Sequence, residues 1–246
     1  MELAKNYTNQ LENEGIDGYK IITIRCQSEP NSKTRIITDR QFLPKIKGSL
    51  KALTSLLSID LAEISEDPNG NTNLDSRKSI LNLYNRSYDK ICVNKLTEIS
   101  NFFKESCGFE IAVKIGSNDG ANPLEVLKFT NSAVLQAEKN LSDEEKSVFE
   151  ILKPIALITQ NNSGKITNYL IMRKVDGKIT NKIGILPDKF LEVFEIKNNY
   201  YNADLQLEYL YKLLLERGVD MGKDFNSHNS MIENEKLIAF DLLPSH

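Results

Sequence analysis

Apolar and polar positions follow two different periods along this chain, and the changes of period mark its elements. Short runs rich in β-branched and aromatic residues recur at Tyr19 to Arg25 (Y-K-I-I-T-I-R), Phe109 to Ile115, Pro154 to Gln160 and Asn168 to Val175. Runs of this length and composition predict strands, and Lys90 to Phe103 reads the same way. Elsewhere the apolar positions fall at helical spacing. Ile46, Leu50, Leu53, Leu56 and Leu57 predict a helix over Lys45 to Leu61. Leu124 to Leu152 reads as helix broken near Ser142, which can cap a second helix with Glu145 as its box partner. Lys189 to Phe194 predicts a helical turn. Asp204 to Arg217 is the clearest helix, with Leu207, Leu210, Leu213 and Leu214 on one face and Gly218 suited to the position after its end. Residues 1–19 read as a polar, partly helical lead-in. The segment E-D-P-N-G-N-T-N-L-D-S at 66–76 is dense in turn formers and is the best boundary in the chain. It separates residues 1–75, an N-terminal extension or small module, from residues 76–246. The mixture of strands and helices predicts an α+β fold.

Composition narrows the classes of function. The 246 residues carry a net charge of −3, with 40% hydrophobic and 26% charged positions. That balance supports a packed core and no polyanion-binding surface, so no nucleic-acid partner is expected. Cys26, Cys92 and Cys107 are odd in number and lack C-x-x-C spacing, which argues against a disulfide framework or a zinc site. With only His228 and His246 present, a His-based metal site or a Ser-His-Asp triad is poorly supported. No apolar run approaches the roughly 18 residues of a membrane span, and no basic-then-apolar leader opens the chain.

Candidate chemistry concentrates near the C-terminal end. After the helix ending at Gly218 comes a short loop with D-x-x-x-x-N, as Asp224 and Asn229, and then an apolar run, Leu237 to Phe240, ending in Asp241. A tight hairpin at Glu233 to Lys236 fits the span between Asn229 and Asp241. Three oxygen-bearing side chains at this spacing can hold a base and a Mg²⁺ ion around one phosphoryl group, which is the layout of a kinase catalytic loop followed by a metal-binding aspartate. Asp224 is the candidate base, and Asn229 and Asp241 are the candidate metal ligands. The competing reading is an ordinary Asp- and Asn-rich loop.

Upstream residues add to this constellation. Lys114 sits in the apolar strand I-A-V-K-I and can pair nucleotide phosphates, or be a solvent-facing lysine on an edge strand. Glu138 shares a helical face with Val134 and Leu141, so a salt bridge to Lys114 would explain a carboxylate in an apolar stripe. Glu125 is its rival, and a solvated helix glutamate is the simpler alternative. Tyr169 to Gly177 (Y-L-I-M-R-K-V-D-G) reads as a hinge strand. Met172 would lie near a nucleotide base, Arg173, Lys174 and Val175 would offer backbone groups to it, and Gly177 would let the chain turn.

At these residues the chain resembles the small effector kinases that enteric pathogens inject into host cells, the OspG/NleH type. The resemblance covers roughly residues 88–246 and rests on A-V-K at Lys114, Y-L-x-M-x-x-V-x-G at 169–177, D-x-N-x-x-N at 224–229 and F-D at 240–241. It implies a protein-kinase-like two-lobed fold, ATP and Mg²⁺ as cofactors, and phosphate transfer to Ser/Thr of a protein substrate. It also implies secretion into a host cell and a host ubiquitin-pathway activator as partner. The family is truncated after its metal aspartate, and this sequence runs five residues past Asp241, so a truncated C-lobe is implied.

The sequence also departs from the family pattern. Val93 to Ser100 (V-N-K-L-T-E-I-S), where the phosphate-binding loop should lie, has no glycine, which weakens the backbone cradle for phosphates. Gly222 and Lys223 stand where the H-R-D motif has histidine and arginine, and Leu242 follows Asp241 without the glycine of D-F-G. Two further readings therefore stand beside an active Ser/Thr kinase. One is a pseudokinase that keeps the fold and binds a partner. The other is a small-molecule or lipid phosphotransferase, which shares the D-x-x-x-x-N loop.

Overall fold

A computed structural model describes residues 7–12, 16–26, 33–44, 101–105, 108–116, 123–162, 165–196 and 202–243. The helix expected over 45–61, the boundary at 66–76, the strand expected over 90–100 and the glycine-free segment 93–100 lie outside these residues. The protein is mixed α+β, and it divides into two compact units. One holds the described residues up to Pro123 together with Pro154–Lys174; the other holds Leu124–Lys153 and the described residues from Val175 onward.

The first unit is built on a six-stranded sheet. Its strands are β1 (Tyr7–Glu12), β2 (Tyr19–Cys26), β3 (Lys33–Asp39), β4 (Ile111–Gly116), β6 (Ala156–Asn162) and β7 (Lys165–Arg173), in the order β1-β2-β3-β6-β7-β4. Every neighbouring pair is antiparallel. Adjacent residues on a strand face opposite sides of a sheet. Yet Ile21 and Ile22, Ile36 and Ile37, Leu157 and Ile158, and Leu170 and Ile171 are all buried. Both faces of the central strands are therefore covered, which is why they read as continuous apolar runs rather than as alternation.

Two sequence expectations change here. Part of the polar lead-in is a strand, not a helix: Tyr7–Glu12 pairs along its whole length with Cys26–Ile21 of β2. An edge strand needs little apolar content when a neighbour supplies its hydrogen bonds, so Y-T-N-Q-L-E carried no period to detect. Residues 101–105 are helical rather than strand. They bury Phe103 and set it edge-on to Phe102 at 5.2 Å. The N-terminal strands are tied to the 154–155 corner as well as to β6. Tyr19 donates its hydroxyl to the Pro154 carbonyl at 2.5 Å, and the Asp39 N–H donates to Ile155 at 3.0 Å. Burial, with the Asp39 carboxylate as a second cause, holds the Tyr19 phenol well above its ordinary pKa.

The second unit contains α1 (Pro123–Asn140), α2 (Asp143–Val148), α3 (Asp188–Val193) and α4 (Ala203–Glu216). Its four-stranded sheet has the order β5 (Phe149–Ile151), β10 (Lys236–Ala239), β9 (Ser230–Glu233), β8 (Lys178–Ile179). The break at Ser142 is as expected. Its side chain accepts from the Glu145 N–H at 3.2 Å, and Glu145 returns the bond to the Ser142 N–H at 2.8 Å. Ser142→Ala removes half of this box and is expected to cost about 1 kcal/mol, read as a fall of a few degrees in thermal melting. The second helix stops sooner than expected. Phe149–Ile151 leaves it to pair in parallel with Leu237–Ala239, a partner the local sequence does not reveal.

The core of this unit joins α1, α3, α4 and the β5–β10 ladder. Leu207, Leu210 and Leu214 of α4 are buried and Leu213 packs at the margin, while Gly218 takes the left-handed conformation after the helix end. Phe149 sits edge-on to both Phe194, at 6.1 Å, and Phe225, at 6.4 Å. Phe225 thus fastens the loop between α4 and β9 to the core. No helix among the described residues is long and apolar enough to cross a membrane.

Candidate functional site

The loop from Gly218 to Asn229 is held at both ends. On the α4 side, the Asp220 N–H donates to Gln136 Oε1 of α1 at 2.8 Å, and Asn140 Nδ2 donates to the Gly218 carbonyl at 3.2 Å. Asp220 Oδ1 in turn accepts from the Gly222 N–H at 2.9 Å. Gly222 is left-handed, with φ +68°, and a Cβ there would sit 1.9 Å from the Leu243 carbonyl oxygen and 2.8 Å from the Phe129 ring. The Lys223 N–H donates to that same Leu243 oxygen at 3.2 Å. Position 222 takes glycine because the segment after Asp241 lies directly on the backbone there, leaving no room for a side chain.

Asp224 and Asn229 are joined across the loop. Asn229 Nδ2 donates to the Asp224 carbonyl at 2.9 Å. An amide that donates through its nitrogen aims its carbonyl oxygen elsewhere. Asn229 Oδ1 makes no hydrogen bond among the described residues, and the half-buried Asp224 carboxylate has neither a hydrogen bond nor an ion pair among them. The loop thus presents one carboxylate and one amide oxygen with unused acceptor capacity.

Asp241 arrives from the other direction. The β9–β10 hairpin turns at Asn234 and Glu235, both left-handed at φ 52° and 65°, as a two-residue hairpin of type I′ requires. This is the tight turn expected at Glu233 to Lys236. The hairpin lays Ser230 opposite Ala239, and the Phe240 N–H donates to the Asn229 carbonyl at 3.0 Å. Asp241 therefore follows directly after the residue that pairs with Asn229. It is itself left-handed, at φ 60°. A side-chain-bearing residue in this region costs roughly 1–3 kcal/mol unless its surroundings enforce it, and such residues gather at functional sites. Leu242, fully buried next to it, anchors the strained residue.

The other candidates fare differently. Lys114 lies on β4, paired with Leu170, at the end of the described strand order; its side chain is outside the described ones. Glu138 is solvent-exposed and makes no ion pair among the described residues, as is also true of the exposed Glu125. Its expected flanks, Val134 and Leu141, are both buried in one core, but Glu138 itself faces solvent. The helix ends at Asn140, with the Leu141 N–H still donating to the Ala137 carbonyl at 3.1 Å, and the buried face within it is Val126, Leu127, Thr130, Asn131, Ala133 and Val134.

The hinge reading is partly redrawn. Met172 is buried on β7. The Lys174 N–H is already donated to the Glu110 carbonyl at 2.9 Å, so it cannot also bond a nucleotide base. Val175 makes no backbone hydrogen bond among the described residues. The chain bends at Gly177 as expected, and glycine there also serves close approach: a Cβ would meet the Ile232 carbonyl oxygen at 2.5 Å. His228 is exposed as expected, and its Nδ1 lies 3.1 Å from Asn181 Nδ2.

Sequence reasoning passed over Asn226, Thr180 and Ser230, which hold the loop from within. The only signal was the asparagine of D-x-N. Comparison with protein-family models, with curated proteins and with solved structures finds no match.

Proposed function

We propose that this protein is a Mg-ATP-dependent phosphotransferase, a Ser/Thr protein kinase of the truncated effector type. The observation that carries the reading is the Asp224–Asn229 loop. One amide bond fixes its two ends and leaves a carboxylate and an amide oxygen unpaired among the described residues, beside an aspartate held in a strained backbone conformation. In this reading Asp224 orients the substrate hydroxyl and accepts its proton. Asn229 and Asp241 hold Mg²⁺, an ion that prefers oxygen ligands. Bound Mg-ATP supplies the transferable phosphoryl group and the positive charge that offsets its developing negative charge. Lys114 is assigned to the nucleotide phosphates and Met172 and Val175 to the base, by the resemblance of their motifs. Glu138 takes no part. The order β4-β7-β6 supports the reading in a limited way, because it sets the A-V-K strand beside the strand leading to the hinge segment. Action inside a host cell, with a host activator, extends the proposal on the resemblance alone.

The test is a thermal-shift titration of the folded protein with ATP, with Mg²⁺ and with EDTA. A ligand that binds only the native state raises stability by RT ln(1 + [L]/Kd), about 1.4 kcal/mol at ten times Kd. A rise of a few degrees with millimolar Mg-ATP, absent in EDTA, is expected. A melting temperature unmoved by Mg-ATP would refute nucleotide binding and with it the kinase reading.

A further inference from the structure

We infer that Asn226 is a positioning residue for the phosphoryl transfer proposed above, on which the inference rests: it sets the geometry of Asp224 and Asn229 without touching substrate or metal. Its side-chain Oδ1 accepts the His228 N–H at 2.9 Å and the Asn229 N–H at 3.2 Å. Its carbonyl accepts from Asn229 as well, at 3.1 Å, and lies 3.0 Å from Ser230 Oγ. Four contacts thus converge on one residue midway between the candidate base and the candidate metal ligand. A side chain that accepts from the backbone two and three residues on defines the turn that follows it. Here that turn decides where Asn229 stands.

The turn is braced from behind. Ser230 Oγ also lies 2.9 Å from Thr180 Oγ1, and both residues are fully buried. A hydroxyl has one proton. The Asn226 carbonyl can only accept, so the Ser230 proton goes to it and the Thr180 hydroxyl donates to Ser230. The result is a buried relay, Thr180 to Ser230 to Asn226. Two further bonds hold the same face: the Asn181 N–H donates to the Ser227 carbonyl at 3.1 Å, and Asn181 Nδ2 reaches His228 Nδ1. The 3₁₀ turn Thr180–Lys182 thereby grips three consecutive residues of the loop, Ser227, His228 and, through Ser230, Asn226. Gains from preorganisation require the reacting groups to stay near their productive positions. A displacement of about 1 Å from a remote change costs about 10²-fold in rate, and lost support behind a metal ligand costs about 10–100-fold in metal affinity.

The experiment compares wild type with Asn226→Ala, Asn226→Asp and Ser230→Ala in the full chain. Mn²⁺ with ADP is the probe, read as paramagnetic broadening of the Asn229 and Asp241 amide signals. Phosphoryl transfer kinetics are measured in parallel. Aspartate keeps the side-chain oxygen that accepts the His228 and Asn229 N–H groups; alanine removes it and leaves only the backbone carbonyl. Asn226→Ala is expected to need at least about 10-fold more Mn²⁺ for half-maximal broadening and to lose about 10²-fold in kcat, with the protein-substrate KM changed little. Asn226→Asp is expected to recover most of both. A purely structural asparagine would change melting temperature without this metal dependence or this rescue. Wild-type broadening and kcat in Asn226→Ala overturn the inference while leaving the kinase reading intact. Should that variant not fold, Ser230→Ala decides, and wild-type behaviour there overturns the inference equally. Absence of broadening and of transfer in the wild type overturns the kinase reading, and the inference falls with it.

Discussion

Alanine at Gly222 is expected to destabilise the second unit by about 2–5 kcal/mol. Two effects add. A residue with a Cβ pays roughly 1–2 kcal/mol to hold a left-handed backbone, and Gly222 sits at φ +68°. The new methyl would also have to occupy space 1.9 Å from the Leu243 oxygen and 2.8 Å from Phe129. Overpacking of that kind costs about 1–3 kcal/mol, and here the first obstacle is backbone, which cannot rotate aside. A fall in melting temperature on the order of 10 °C is expected. A second readout follows from the placement. Leu243 also accepts the Lys223 N–H, so displacing it disturbs both the loop leading to Asp224 and the segment leaving Asp241. Mg-dependent nucleotide binding by the variant, measured below its melting temperature, is expected to weaken. A variant within a degree of wild type would show that Leu243 does not rest on Gly222 in solution.

The largest functional effects are expected at Asp224 and Asp241, for different reasons. Asp224→Asn keeps size and hydrogen bonding but loses the proton acceptor. Its backbone carbonyl, the group that Asn229 holds at 2.9 Å, is unchanged, so the loop should keep its shape. Transfer is expected to fall by about 10²–10⁴-fold with nucleotide affinity retained. On the proposed roles, Asp241→Asn would remove a charged oxygen ligand, so transfer and Mg-dependent affinity should fall together. Asparagine tolerates the left-handed backbone at least as well as aspartate, so φ 60° at this position does not confound the comparison. Isothermal titration with nucleotide at fixed Mg²⁺ separates the two variants. Equal loss of affinity in both would contradict the division into base and metal ligand.

The parts of the fold that were legible in the sequence are those whose stabilising contacts are local. The α4 leucines repeat at helical spacing around one buried face, and Ser142 and Glu145 form their box within one turn. The β9–β10 turn was legible from the room left between Asn229 and Asp241. Elements that depend on a distant partner were not. β1 is polar and exists as a strand because β2 pairs with it, and β5 leaves a helical context because β10 lies alongside. Glu138 was placed on the wrong side of its helix. Val134 and Leu141 are buried as the spacing suggests, but the rotation that turns Glu138 between them to solvent is set by the core they pack into.

The candidate site divides along the same line. Asp224, Asn229 and Asp241 were found because their spacing is a short-range pattern. The brace of Thr180, Asn181 and Ser230 spans some fifty positions and carries no such pattern. Gly222 was visible as a departure, but its reason, the Leu243 backbone packed against it, exists only in three dimensions.

The central claim is phosphoryl transfer, and transfer of a γ-phosphate radiolabel from ATP measures it directly. Wild type and Asp224→Asn would be assayed with Mg²⁺ alone, with a generic Ser/Thr substrate and with a host-cell lysate, because an effector kinase can require a host activator. The expected result is Mg²⁺-dependent labelling of serine or threonine by wild type that disappears with Asp224→Asn. Wild-type protein that binds Mg-ATP yet labels nothing in any mixture, or labelling that persists unchanged in Asp224→Asn, would contradict the account, the former in favour of a pseudokinase that works by binding a partner.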